Sequence, residues 1–137
     1  MRQLVLISIA AAALSFTAFA STQEMDQIYS VFQTTRSEFL NQTFVSKKEF
    51  KKRFDTLDTE LSSKYKAFKL LEKEEISTKG NQMAFDLEQL EPLRNLATSK
   101  ITEEDCSQAV HTNNLNANEE DKKEIDQISQ ILKSVCK

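Results

Sequence analysis

The chain has 137 residues, 28% charged and 39% hydrophobic, with formal net charge −3, one glycine, one proline, one histidine and no tryptophan. That length supports a single domain, and so few turn residues exclude turn-rich all-β folds, collagen-like repeats and Gly/Ser linkers. One histidine and two cysteines leave little material for a zinc site or a His-based catalytic set.

The N-terminus carries an address. Met1-Arg2-Gln3 is a short basic start, Leu4 to Leu14 is an uncharged apolar run broken only by Ser8, and Ala18-Phe19-Ala20 places small residues before Ser21. This is the three-part pattern of a secretory signal peptide over 1–20, leaving a single helical domain at 21–137. The run is too short for a comfortable membrane span, and no stop-transfer charges follow it. The expected product is periplasmic or secreted, with no stable membrane insertion after the leader is removed. Both cysteines, Cys106 and Cys136, lie in the remaining part. An even count in a small exported protein points to a disulfide. Closing the loop 106–136 is worth roughly 3–4 kcal/mol by chain entropy.

The first predicted helix spans about 22–42. Ser21-Thr22-Gln23-Glu24 fits a capping box, and Met25, Ile28, Tyr29, Phe32 and Phe39 share one face. Asn41–Ser46 breaks the period. Ser46-Lys47-Lys48-Glu49 is a second capping box with Val45 as its hydrophobic staple. Phe50, Phe54, Leu57, Leu61, Phe68 and Leu71 follow as a heptad seam, with Lys64 in the missing slot and Tyr65 beside it, which predicts a helix at about 47–75. Ser77 to Gly80 reads as a break, and Ile76-Ser77 as an apolar-then-hydroxyl helix start of the same kind as Val45-Ser46 and Ile101-Thr102. Met83, Leu87, Leu90, Leu93 and Ala97 then form a helical face interrupted by Pro92, which predicts a kink near Gln89–Glu91 or a fresh start. Ile101 and Thr102-Glu103-Glu104-Asp105 mark another helix start. Asn113–Asn118 reads as a loop by composition. Asn118 caps a last helix whose apolar face is Ile125, Ile128, Leu132 and Val135. Cys106 opens one helix of this hairpin and Cys136 closes the other, so an antiparallel pairing brings them together.

The fold class expected is therefore all-α: a small antiparallel helical bundle of four to five helices with one disulfide. The strongest surface feature is the basic cluster Lys47, Lys48, Lys51, Lys52 and Arg53. It reads as an interaction patch for an acidic partner, or as a solvated face near a helix start. Nucleic acid is not expected, because an exported chain of net negative charge without tryptophan has few bases-stacking groups. Eight acids between Glu103 and Asp126 fall mostly in first helical turns, where the helix dipole favours them, and no calcium-loop spacing accompanies them. Asp55, Asp58 and Glu60 point to different sides of one helix and read as surface. His111 is solitary, which argues against a metal site or a Cys–His pair. Phe32, Phe39, Phe44, Phe50, Phe54, Phe68 and Phe85 read as core, with Phe44 in the inter-helix loop the one expected to be exposed.

No nucleophile elbow or phosphate-cradling glycine loop is present. The expected function is non-enzymatic protein–protein binding without cofactor or metal, of a stress/client-binding or inhibitor/immunity type, toward an unidentified protein partner. A structural homo-oligomer built on the Phe50–Leu71 seam is the alternative, and a carboxylate-only hydrolase a distant second.

Overall fold

Apolar side chains that recur every three or four residues demand a partner surface, and here six helices among the described residues supply it to one another. The computed structural model describes residues 22–72, 77–116 and 121–136. The leader at 1–20, the Ser21 cap and the Asn118 cap lie outside the described residues. The helices are α1 (22–40), α2 (Lys47–Leu71), α3 (Thr78–Gln89), α4 (Glu91–Thr98), α5 (Glu103–Leu115) and α6 (Lys122–Val135). All described regular structure is helical, against the four to five helices expected.

The extra helix comes from Pro92. Leu90 leaves the α3 ladder at φ −83°, ψ −1°, and α4 begins at Glu91 with the proline in its first turn. There the missing amide costs nothing, since the first amides of a helix lack intrahelical acceptors anyway. The expected interruption is thus a fresh start.

α2 is built as its seam requires. Phe50, Phe54, Leu57, Leu61 and Phe68 are all buried, Tyr65 packs against the core beside Lys64, and Leu71, the last expected member, is only half-buried. α2 packs on α3 and α4, and α5 packs on α4 and α6. One contiguous core joins Phe32, Phe39 and Leu40 of α1 to Met83, Leu90, Leu93, Leu96, Ile128, Ile131 and Leu132. Each fully buried side chain of this size contributes roughly 1.5–3 kcal/mol of transfer free energy.

Two loop expectations are overturned. Phe44 is buried at 3% exposure rather than exposed. Its ring lies 5.2 Å from Phe39 and 5.5 Å from Phe50, and its backbone amide donates to the Ser134 hydroxyl at 3.2 Å. The 42–44 segment lies outside any helix, and the Phe44 ring fills the wedge between α1 and α2, where edge contacts with other rings are favourable. Val45 takes the exposed position instead, at 96%, and forms no staple. Ser46 nevertheless caps α2 through its side-chain oxygen, which accepts from the Glu49 amide at 3.1 Å.

The breaks around the hairpin also differ from expectation. α5 runs through Asn113 to Leu115, and Asn113 is buried. Its amide nitrogen donates to the Ile125 carbonyl (3.2 Å) and to the Ser129 hydroxyl (3.0 Å), so a residue type common in loops serves here as a bridge to α6. Ser77 caps α3 as its hydroxyl placement predicts, and the helix runs on through Gly80 where a break was expected. Gly80 lies in the first turn of α3, where a Cβ would stand 2.7 Å from the Glu72 Oε1 that binds the Ser77 amide.

Cys106 and Cys136 form a disulfide with Cα atoms 5.9 Å apart. It ties the beginning of α5 to the residue that caps the end of α6.

Candidate functional site

The basic cluster occupies the first two turns of α2, a helix whose apolar side is committed to the core. Its five cations therefore project sideways or outward, and the fold divides them into two groups.

Lys47 and Lys51, one turn apart, reach the link between α4 and α5. The Lys47 ammonium donates to the Ile101 carbonyl at 3.1 Å, and that of Lys51 to the Ser99 carbonyl. The link needs such support. Ile101 is buried and held at φ 55°, a left-handed conformation that a β-branched residue adopts only under constraint. The Ser99 hydroxyl accepts the Ile101 amide at 3.0 Å while donating to the Leu96 carbonyl at 2.9 Å. Just beyond, Thr102 and Asp105 form a reciprocal capping box for α5. The Thr102 amide and hydroxyl hold the Asp105 carboxyl below its ordinary value, with the Lys51 charge adding to the effect. Lys47 and Lys51 thus clamp a strained corner.

Arg53 is also engaged. Its guanidinium meets Glu49 at 3.1 Å and donates to the Gln42 side-chain oxygen at 3.0 Å. Lys48 and Lys52 are exposed. Among the described residues the ammonium of neither makes a hydrogen bond or ion pair. They stand between two clefts. One, of about 410 Å³, lies between α2 and α4 and is lined by Lys48, Lys51, Lys52, Phe54, Asp58 and Arg94. The other, of about 450 Å³, lies between α1 and α2, with Phe39 and Leu57 in its wall and Glu38, Arg53 and Glu60 around it. Lys52 lines both.

Several residues that shape this region were not legible as site residues. Asp58, read as plain surface, takes Arg94 of α4 in a fork of contacts at 2.9 and 3.2 Å, and Arg94 also donates to the Leu87 carbonyl. That pair sets the far wall of the α2–α4 cleft. His111 is exposed near the end of α5. Phe85, read as core, is 37% exposed. The groove beside the disulfide, between α5 and α6, is larger at about 850 Å³, with Val110 and Leu132 among its apolar residues and Glu103, Asp126 and Lys133 around it. Among the described residues no group of three or more His, Cys, Asp or Glu side chains is placed to hold a metal ion, and no helix is long and apolar enough to cross a membrane.

Comparison with protein-family models, with curated proteins and with solved structures returns no match, so the reading of this surface rests on its own chemistry.

Proposed function

We propose that the chain is an exported, non-enzymatic protein, folded as a small antiparallel helical bundle, that works in the periplasm or outside the cell by binding an acidic segment of another protein. The contact surface is the ridge of Lys48 and Lys52 with the clefts on either side. One observation carries this reading: of five clustered cations, Lys47, Lys51 and Arg53 are spent on the fold, while the ammonium groups of Lys48 and Lys52 have no partner among the described residues and flank concave surface. A cation held beside a partly apolar cleft attracts a carboxylate partner and orients it, and the clefts give the contact shape. The α2 seam faces the chain's own core, so an oligomer built on that seam gains no support from the packing.

Crosslinking of the tagged, oxidised protein in its native envelope, followed by mass spectrometry, identifies the partner. Lys48→Glu with Lys52→Glu then tests the surface. These two reversals leave the clamp on the α4–α5 link intact, which reversal of the whole cluster does not. Partner binding is expected to weaken at least tenfold, with stronger loss at low salt. Unchanged affinity refutes the surface. A stoichiometric complex with one enzyme marks the inhibitor or immunity type. Suppressed aggregation of unrelated unfolded proteins marks the client-binding type.

A further inference from the structure

The apolar face of α1 contains a charge. Arg36 falls four residues after Phe32 and three before Phe39, and is buried at 2% exposure. Its guanidinium makes a two-pronged pair with Glu124 of α6, at 2.8 and 3.0 Å, and its Nε donates to the backbone carbonyl of Asp86 on α3 at 3.3 Å. A buried guanidinium needs this degree of pairing.

Asp86 itself is the unusual member. The residue is also only 2% exposed, and its side chain makes no ion pair among the described residues. Its two oxygens accept from two neutral amides instead: Gln33 of α1 at 2.7 Å and Gln82 of α3 at 2.8 Å. The nearby guanidinium is turned to Glu124 and to the Asp86 carbonyl. A buried carboxylate held by neutral donors alone is a costly way to join two helices, and its neutral form removes most of that cost. Once protonated, the carboxyl can still bond both amides, donating to one Gln side-chain oxygen after that amide turns over and accepting from the other.

We propose that Asp86 is a proton-operated latch between α1 and α3, which fastens when the carboxyl is neutral and loosens when it is ionised. The charged groups that act on it are Arg36 from α1, which favours the anion, and Glu124 from α6, which opposes it. On α3 itself, Lys79 is occupied by Asp26 at 2.5 Å. From α2 and α4 comes the Arg94–Asp58 pair, docked on the Leu87 carbonyl one residue along α3. Burial pushes the Asp86 carboxyl up from its ordinary value, against the Gln33 bond, the Arg36 charge and the Gln82 bond, which pull it down. A carboxyl whose value is raised in the folded state adds nothing below its unfolded value and costs stability as pH rises through its folded one. The junction is therefore tightest in acid. α1 carries Phe32, Phe39 and Leu40, so its release at higher pH uncovers core apolar surface.

Hydrogen exchange tests the latch. Protection factors of α1 amides, corrected for intrinsic rates, are measured from about pH 4 to about pH 7 in the full disulfide-bonded chain and in Asp86→Asn. The unsubstituted protein is expected to lose α1 protection across this range, tenfold for each unit by which the folded-state value exceeds the unfolded one. Asp86→Asn is expected to show the smaller loss, because the amide that replaces the carboxyl does not ionise while every other group is common to both proteins and cancels in the difference. Parallel profiles overturn the proposal. If Asp86→Asn fails to fold, a carbon-detected NMR titration of the Asp86 carboxyl in the unsubstituted protein decides. A midpoint above the ordinary aspartate range supports the latch, and one within or below that range overturns it.

Discussion

Replacing both bridging cysteines, Cys106→Ser with Cys136→Ser, isolates what the cross-link contributes. The bond joins residues 30 apart in sequence. In the chain-entropy description, freeing a loop of that size restores about 3–4 kcal/mol of disorder to the unfolded state. For a domain of this length that is a fall in melting temperature of about 12–16 °C. The variant is expected to fold nonetheless. α6 buries Ile125, Ile128, Ile131, Leu132 and Val135, and Asn113 still bridges α5 to α6. Guanidinium unfolding followed by far-UV circular dichroism measures the loss. The slope on denaturant should steepen, since an uncrosslinked unfolded chain exposes more surface. A loss below about 1 kcal/mol with unchanged slope refutes the assignment of the bond as the staple of this hairpin. Two alkylatable thiols in the native oxidised protein refute it at the outset.

Arg36→Met removes the buried cation while keeping an apolar stem, and strands Glu124 and the Asp86 carbonyl without their donor. A loss of about 3 kcal/mol is expected in denaturant unfolding, and Glu124→Gln made on top of it should cost far less than it does alone, because breaking one partner of such a pair carries most of the penalty. Glu72 behaves oppositely to Asp86 with pH. The Lys69 ammonium and the Ser77 hydroxyl and amide hold its carboxyl at about 2. Its contribution is whole above the ordinary glutamate value near 4.5 and vanishes as pH falls toward about 2, so Glu72→Gln should destabilise at neutral pH and become indistinguishable from the parent in strong acid, as read by thermal melts. Lys47→Met with Lys51→Met releases the α4–α5 corner and should lower the melting temperature by several degrees, about 1–2 kcal/mol for two donors lost from backbone carbonyls. The same change at Lys48 and Lys52 should leave it within about 0.5 kcal/mol.

Much of the fold was legible in local pattern. The α2 seam, the Ser46, Ser77 and Thr102 caps and the pairing of Cys106 with Cys136 all follow from period, hydroxyl placement and count, because these depend on residues a turn apart or on a choice with one intramolecular solution. The buried network was signalled more faintly. Arg36 and Asp86 occupy slots on faces otherwise apolar, between Phe32 and Phe39 and beside Met83, and a charge in a core slot demands a distant partner. Which partner it finds cannot be read along the chain: Glu124 lies 88 residues from Arg36.

Sequence alone determined that this chain is helical, where α1, α2 and α5 begin, and which cysteines meet, since hydrogen bonds within a helix and the periodic exposure of its faces are local. Tertiary packing decided that Phe44 turns inward while Val45 stays out, that Pro92 opens a helix, and that three of five clustered cations belong to the scaffold. Those outcomes depend on which surfaces converge in space. A side chain in a link has no periodic face of its own, and a lysine is free or engaged only according to the carbonyls and carboxylates that the packing of other helices brings within its reach.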